Sequence, residues 1–149
     1  MLSWLKDKGN EARTRLAAEV SKFRNRTFME AVVASCALVA AADGTISPDE
    51  KQKMAGFMRN SDELKHFAMP DVIAFFDKVV ANFDFDAQIG RAEALKVVGR
   101  LRGNEEQARM MVRVACAIGA SDGSFDEGER AAVRSICVEL GLKPADFDL

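Results

Sequence analysis

The sequence predicts an all-α fold, a compact bundle of about seven helices with an internal duplication of a helix–loop–helix unit. Three observations carry the prediction. Of 149 residues, 48% are apolar, only three are proline and none is tyrosine, and the abundant Ala, Leu, Met, Glu, Lys and Arg lose little rotamer freedom in a helix. Apolar side chains recur at the i, i+3, i+4, i+7 spacing of a helix buried on one face. The chain also repeats itself: a constant shift of 79 positions superposes Val33 on Val112, Ala41 on Ala120, Asp43 on Asp122, Gly44 on Gly123 and Glu50 on Glu129. The length suits one domain, 1–149, able to bury its own core.

Residues 1–26 form the first predicted helix, with Leu5, Ala12, Leu16, Val20 and Phe23 on one stripe. Residues 28–61 and 107–140 are the two related units. In each, the first segment, 28–42 or 107–121, is apolar nearly all round and suits a helix at the centre of a bundle. The second segment opens at Ser47 or Asp126, both good N-caps, with Glu50 or Glu129 three residues on to close a capping box and Pro48 at the first helical position of copy one. Its apolar stripe is Met54, Phe57 and Met58 in copy one and Val133, Ile136, Cys137 and Leu140 in copy two. Between the units, Pro70 opens a helix with Val72, Ile73, Phe76, Val79 and Val80 inward, and Asp84 or Asp86 caps another carrying Ile89, Leu95, Val98 and Leu101. Gly103 and Asn104 break the chain before the second unit, and residues 144–149 read as a terminal turn.

Net charge is −2 overall, but the first 27 residues carry seven basic and three acidic side chains, which leaves the remainder with 14 basic and 20 acidic. A basic head on an acidic body suits an anionic partner or a membrane surface, and also an ordinary solvated helix. Three cysteines without CxxC spacing and a single histidine, His66, support neither a disulfide framework nor a zinc site. Cys36 and Cys116 sit in apolar stretches and read as small core residues in a reducing cytosol. The N-terminus does not read as a secretion signal, and no run reaches the roughly 18 apolar residues of a membrane span. One imidazole is too few for the usual nucleophile–base sets, so an enzyme is not expected and no small-molecule substrate is indicated. The head lacks interleaved aromatics, so nucleic acid is not expected either.

The repeated loops read Asp43-Gly-Thr-Ile-Ser-Pro-Asp-Glu50 and Asp122-Gly-Ser-Phe-Asp-Glu-Gly-Glu129. This is the back half of an EF-hand loop, in which Gly makes the turn, an apolar residue anchors it and the last Glu holds the cation. The front half is missing: its ligand positions are Val39 and Ala41, and Ile118 and Ala120, which offer no side-chain oxygen. Asp43, Glu50, Asp122 and Glu129, drawn together by a pseudo-two-fold axis, would instead form one acidic pole for a divalent cation, with Ser47 and Asp126 as additional oxygens. Carboxylates without His or Cys favour Ca²⁺ or Mg²⁺ over Zn²⁺. The competing reading is a structural adaptor without metal, in which both Glu residues are capping-box partners and Gly44 and Gly123 are helix C-caps. Only Asp43 and Asp122 lack a local role, each facing the negative end of a helix dipole at a cost of about 0.3–1 kcal/mol.

These features resemble the tellurite-resistance TerB family over almost the whole chain. The resemblance is carried by Lys22-Phe-Arg-Asn-Arg-Thr-Phe-Met29, Ala41-Ala-Asp-Gly44, Asp49-Glu-Lys-Gln-Lys-Met54, Ser61-Asp-Glu-Leu-Lys65, Phe83-Asp-Phe-Asp86 and Ser121-Asp-Gly-Ser-Phe-Asp126. It implies a helical bundle with two related halves, cytoplasmic and peripheral at the inner face of the membrane, in a tellurite and stress-response system. It also implies divalent metal at Asp43, Glu50, Asp122 and Glu129, association with the membrane protein TerC, and a membrane or partner contact through Trp4, Lys6 and Lys8. Copy one has Ser47 where copy two has Asp126, so the two sites need not be equally strong.

Overall fold

An unbroken run of small and aliphatic residues decides which helix sits at the centre. In the computed structural model, which describes Arg15, Ala18 and residues 25–42, 46–60, 67–120 and 125–149, helix α1 (Arg26–Ala40) is buried at every position from Phe28 to Val39. It packs against four of the five helices that follow and touches the fifth. Asn25 starts it: its side-chain oxygen accepts the Phe28 N–H at 2.8 Å, the usual means of satisfying a free first-turn donor. Two polar residues lie within the run. Ser35 donates its hydroxyl to the Val32 carbonyl at 2.7 Å. Glu30 spans Arg26 Nε at 2.9 Å and Arg100 Nη1 at 3.1 Å, tying the centre of the bundle to a later helix.

The order continues with α2 (Pro48–Asn60), α3 (Met69–Phe85), α4 (Ala87–Gly99), α5 (Glu105–Gly119), α6 (Glu127–Leu140) and a 3₁₀ turn over Pro144–Phe147. Among the described residues there are thus six α-helices and no strand, an all-α fold. The expected N-terminal helix, apart from Arg15, Ala18, Asn25 and Arg26, lies outside the described residues. Helix α2 begins at Pro48, as expected, with the Ser47 carbonyl accepting the Lys51 N–H at 2.9 Å. It rests on α1 and α3, while α3 and α4 pair closely and α6 closes against α1, α4 and α5.

Helix α4 does not bury every apolar residue it carries. Ile89 is 44% exposed, and Gly90, Ala94 and Val98 form the buried face instead. The cause is the approach of α3: a methyl added at Gly90 would stand 2.6 Å from Phe83 Cα. Only glycine lets the two backbones come that close, so the helix turns its smallest residue inward.

Asn104 caps α5 by accepting the Gln107 N–H at 3.2 Å. Gly141, at φ 73°, ends α6, with Leu142 N–H bonded to the Cys137 carbonyl and Gly141 N–H to that of Val138, the paired bonds of a Schellman motif. The terminal turn is more than a turn: Phe147 is buried in the core with the Arg109 guanidinium 5.2 Å above its ring. Cys36, Cys116 and Cys137 are free and buried. No helix among the described residues is long and apolar enough to cross a membrane.

Candidate functional site

The repeated loops connect α1 to α2 and α5 to α6. Their flanking helices begin alike, since α5 and α6 start 79 positions after α1 and α2. The stems of the two loops meet. A methyl built on Gly128, in the first turn of α6, would lie 3.6 Å from Ala42 Cβ. Ala42 immediately precedes Asp43 and Gly128 immediately precedes Glu129, so the end of α1 and the start of α6 stand at one pole of the bundle. Of the apolar residues at the ends of these loops, Ile46 is 5% exposed, and Phe125 is half-buried with the Arg130 guanidinium 6.0 Å from its ring centre.

In the second copy the local role of the carboxylates is explicit. Asp126 Oδ1 accepts the Glu129 N–H at 2.7 Å, and Glu129 Oε1 accepts the Asp126 N–H at 3.1 Å, a complete capping box. Each side chain thus satisfies a helix-terminal amide. Glu127, beside them, pairs with Arg130 at 3.9 Å and with Arg134. In the first copy Ser47 is half-buried at the start of α2. Asp43, Asp122 and the Glu50 side chain lie outside the described residues, as do Trp4, Lys6, Lys8 and His66.

Among the described residues no group of three or more His, Cys, Asp or Glu is gathered as a metal cluster. The donor set proposed from sequence is entirely carboxylate and hydroxyl oxygen, a chemistry that fits a hard divalent ion. Thiols do not compete. Burial pushes Cys116 up to about 12 and Cys137 up to about 11, so both stay protonated near neutrality and are poor nucleophiles and ligands.

Two structural features had little sequence signal. Glu30 is a nearly buried carboxylate whose only clue was an acid inside an apolar run. The Ala42–Gly128 approach depends on how α1 crosses α6, which no local pattern encodes.

The family described as "Tellurite resistance protein TerB" matches residues 29–149. A curated relative, "Tellurium resistance protein TerB" from Alcaligenes sp, is 44% identical over 102 residues, covering 68% of this chain and 84% of the relative. No solved structure matches the chain.

Proposed function

The chain belongs to the tellurite-resistance TerB family, and on that premise we propose a non-enzymatic stress-response module whose two Asp-Gly…Glu loops hold a hard divalent cation, Ca²⁺ or Mg²⁺. The observation that carries this reading is the approach of Ala42 to Gly128. It supports the convergence of Asp43 and Glu50 with Asp122 and Glu129, and with it an origin of the two units in duplication. Bound there, the ion supplies charge neutralisation between carboxylates that would otherwise repel. The protein's share is to supply oxygens from two loops on a packed helical scaffold. The basic head, with Trp4, Lys6 and Lys8, is proposed to keep the module at the inner face of the membrane beside TerC.

The melting temperature tests the metal reading. If a site of Kd about 0.1 mM is exposed to about 10 mM Ca²⁺, binding adds roughly 2.7 kcal/mol, which is about 9 °C for a chain of this size. The rise is expected in the wild type and is lost in Asp43→Asn/Asp122→Asn. The Asp126–Glu129 capping box favours a second reading, an adaptor in which the loops only terminate helices. That reading predicts identical melting in chelator and in excess metal. Contact of the head with the membrane predicts salt-sensitive binding to anionic vesicles by the full chain and none by a chain starting at Asn25. Equal binding by both would remove it.

A further inference from the structure

Two short runs downstream of the loops share a pattern: Ala81-Asn-Phe-Asp-Phe85 and Ala145-Asp-Phe-Asp-Leu149. The first closes α3, and the second ends the 3₁₀ turn. Phe83 and Phe147 are both core residues, and each anchors an aspartate, Asp84 or Asp148, that stands at the surface.

Each aspartate meets the same kind of partner. Lys51 Nζ donates to Asp84 Oδ2 at 2.9 Å, and Arg130 Nη2 donates to the Asp148 main-chain oxygen at 3.0 Å. Lys51 and Arg130 are 79 positions apart, the shift that relates the two loops, and each directly follows the last glutamate of its loop, Glu50 or Glu129. Their backbone settings match: the Lys51 N–H bonds to the Ser47 carbonyl and the Arg130 N–H to that of Asp126, both at 2.9 Å. A cation thus occupies the same first-turn position of α2 and α6. In both places it reaches away to a segment that a buried phenylalanine fixes.

Stability does not account for the first pair. The Lys51 and Asp84 side chains are 33% and 54% exposed, and ion pairs so open to water add little. Both also stand at the unfavourable ends of their helices, a cation in the first turn of α2 and an acid in the last turn of α3. A flexible ammonium beside loop carboxylates is, however, a built-in competitor for a divalent ion once it comes within contact range of them.

We propose that Asp84 is a positioning residue for the first loop: it holds the Lys51 ammonium off the neighbouring carboxylates and so keeps that loop open to a divalent cation. Arg130, held by the carbonyl of Asp148, is drawn from the second loop in the same way. The consequence for affinity rests on the cation reading of the loops, whereas the holding of Lys51 does not.

Calcium titration of the full chain separates this role from a merely structural link between α2 and α3. Asp84→Asn should weaken Ca²⁺ binding by about fivefold or more, because Lys51 is freed to pair with the loop. Lys51→Met should bind at least as tightly as wild type, and Lys51→Met/Asp84→Asn should return to within about twofold of it. A structural link predicts instead that both single variants weaken binding alike. Unchanged melting of the metal-free variants checks the fold. Carbodiimide, which condenses a touching ammonium and carboxylate into an amide, reads the clasp on metal-stripped protein. Peptide mapping should find Lys51 joined to Asp84 in the wild type and to a loop carboxylate in Asp84→Asn. No heat from the wild type would defeat the cation reading and, with it, the affinity role of Asp84, while the cross-links still judge the holding of Lys51. Equal weakening by both single variants, an Asp84→Asn protein that binds like wild type, or a Lys51 cross-link that Asp84→Asn does not redirect overturns the proposal.

Discussion

Gly90→Ala separates helix propensity from packing, because the two predict opposite signs. Glycine inside a helix costs about 0.5–1 kcal/mol relative to alanine, so propensity alone predicts that the substitution stabilises α4. The structure predicts the reverse. The new methyl would lie 2.6 Å from both Phe83 Cα and Phe83 Cγ and 2.8 Å from Cδ1. Carbon atoms pack best at about 3.5–4.0 Å, so α4 must retreat by about 1 Å from α3, and a backbone Cα cannot swing aside as a side-chain end can. Overpacking of this kind costs typically 1–3 kcal/mol, and the α3–α4 contacts loosened include Phe83, Ala94 and Val98. Net of propensity, we expect a loss of roughly 1–2 kcal/mol, or about 3–6 °C in melting temperature for a chain of this length. Gly56→Ala in α2 is the control, since a methyl there meets nothing within 4 Å; it should gain about 0.5–1 kcal/mol. Urea unfolding followed by helical circular dichroism measures both. A Gly90→Ala protein as stable as Gly56→Ala would refute the close α3–α4 approach and the outward placing of Ile89 that follows from it.

Alkaline pH should destabilise the fold through its thiols. Cys116 and Cys137 ionise only near 12 and 11 when folded, against an ordinary 9, so above pH 9 the unfolded chain releases protons that the folded chain keeps. Stability present below pH 9 falls as pH rises, by about 2 kcal/mol per thiol at pH 10.5. With no tyrosine in the chain, no phenol obscures the trend. Urea midpoints from pH 8 to 10.5 should slope downwards in the wild type and less in Cys116→Ala, and a flat wild-type profile would contradict the burial. Asp126→Ala should cost about 1 kcal/mol through loss of the N-cap, measured by chemical unfolding. Glu129→Gln keeps a capping-competent amide and should leave stability nearly unchanged, yet abolish any metal-induced rise in melting temperature. Glu30→Ala should cost about 1–2 kcal/mol, less than a fully buried ion pair because Arg26 and Arg100 are 65% and 51% exposed; a thermal melt indistinguishable from wild type would deny its role.

The helices were legible wherever local chemistry marks an end. Pro48, Asp86, Asn104 and Asp126 all lie where caps and first-turn residues are expected, and the Asp126–Glu129 box was readable as a pattern before it was visible as two hydrogen bonds. Asn25 was not, because Arg26 and Thr27 delay the apolar run that suggests a helix start. The inward face of α4 was not legible, because hydrophobic periodicity counts apolar letters and gives no weight to a glycine that faces inward for want of space. Phe147 was hidden in a segment that Pro144 makes look like a tail. The carboxylates of the loops could be named from sequence, but the meeting of their stems could not. It depends on residues 42 and 128 being brought together by the crossing of α1 and α6, a property of the assembled bundle.

Calorimetric titration of Ca²⁺ and Mg²⁺ into the wild type and into Asp43→Asn/Asp122→Asn separates a metal site from a pair of helix caps. Saturable heat is expected with the wild type and none with the double variant, both proteins melting alike in chelator. Equal heats from the two proteins, or no binding heat from the wild type at millimolar metal, would contradict it and leave the loops as helix caps.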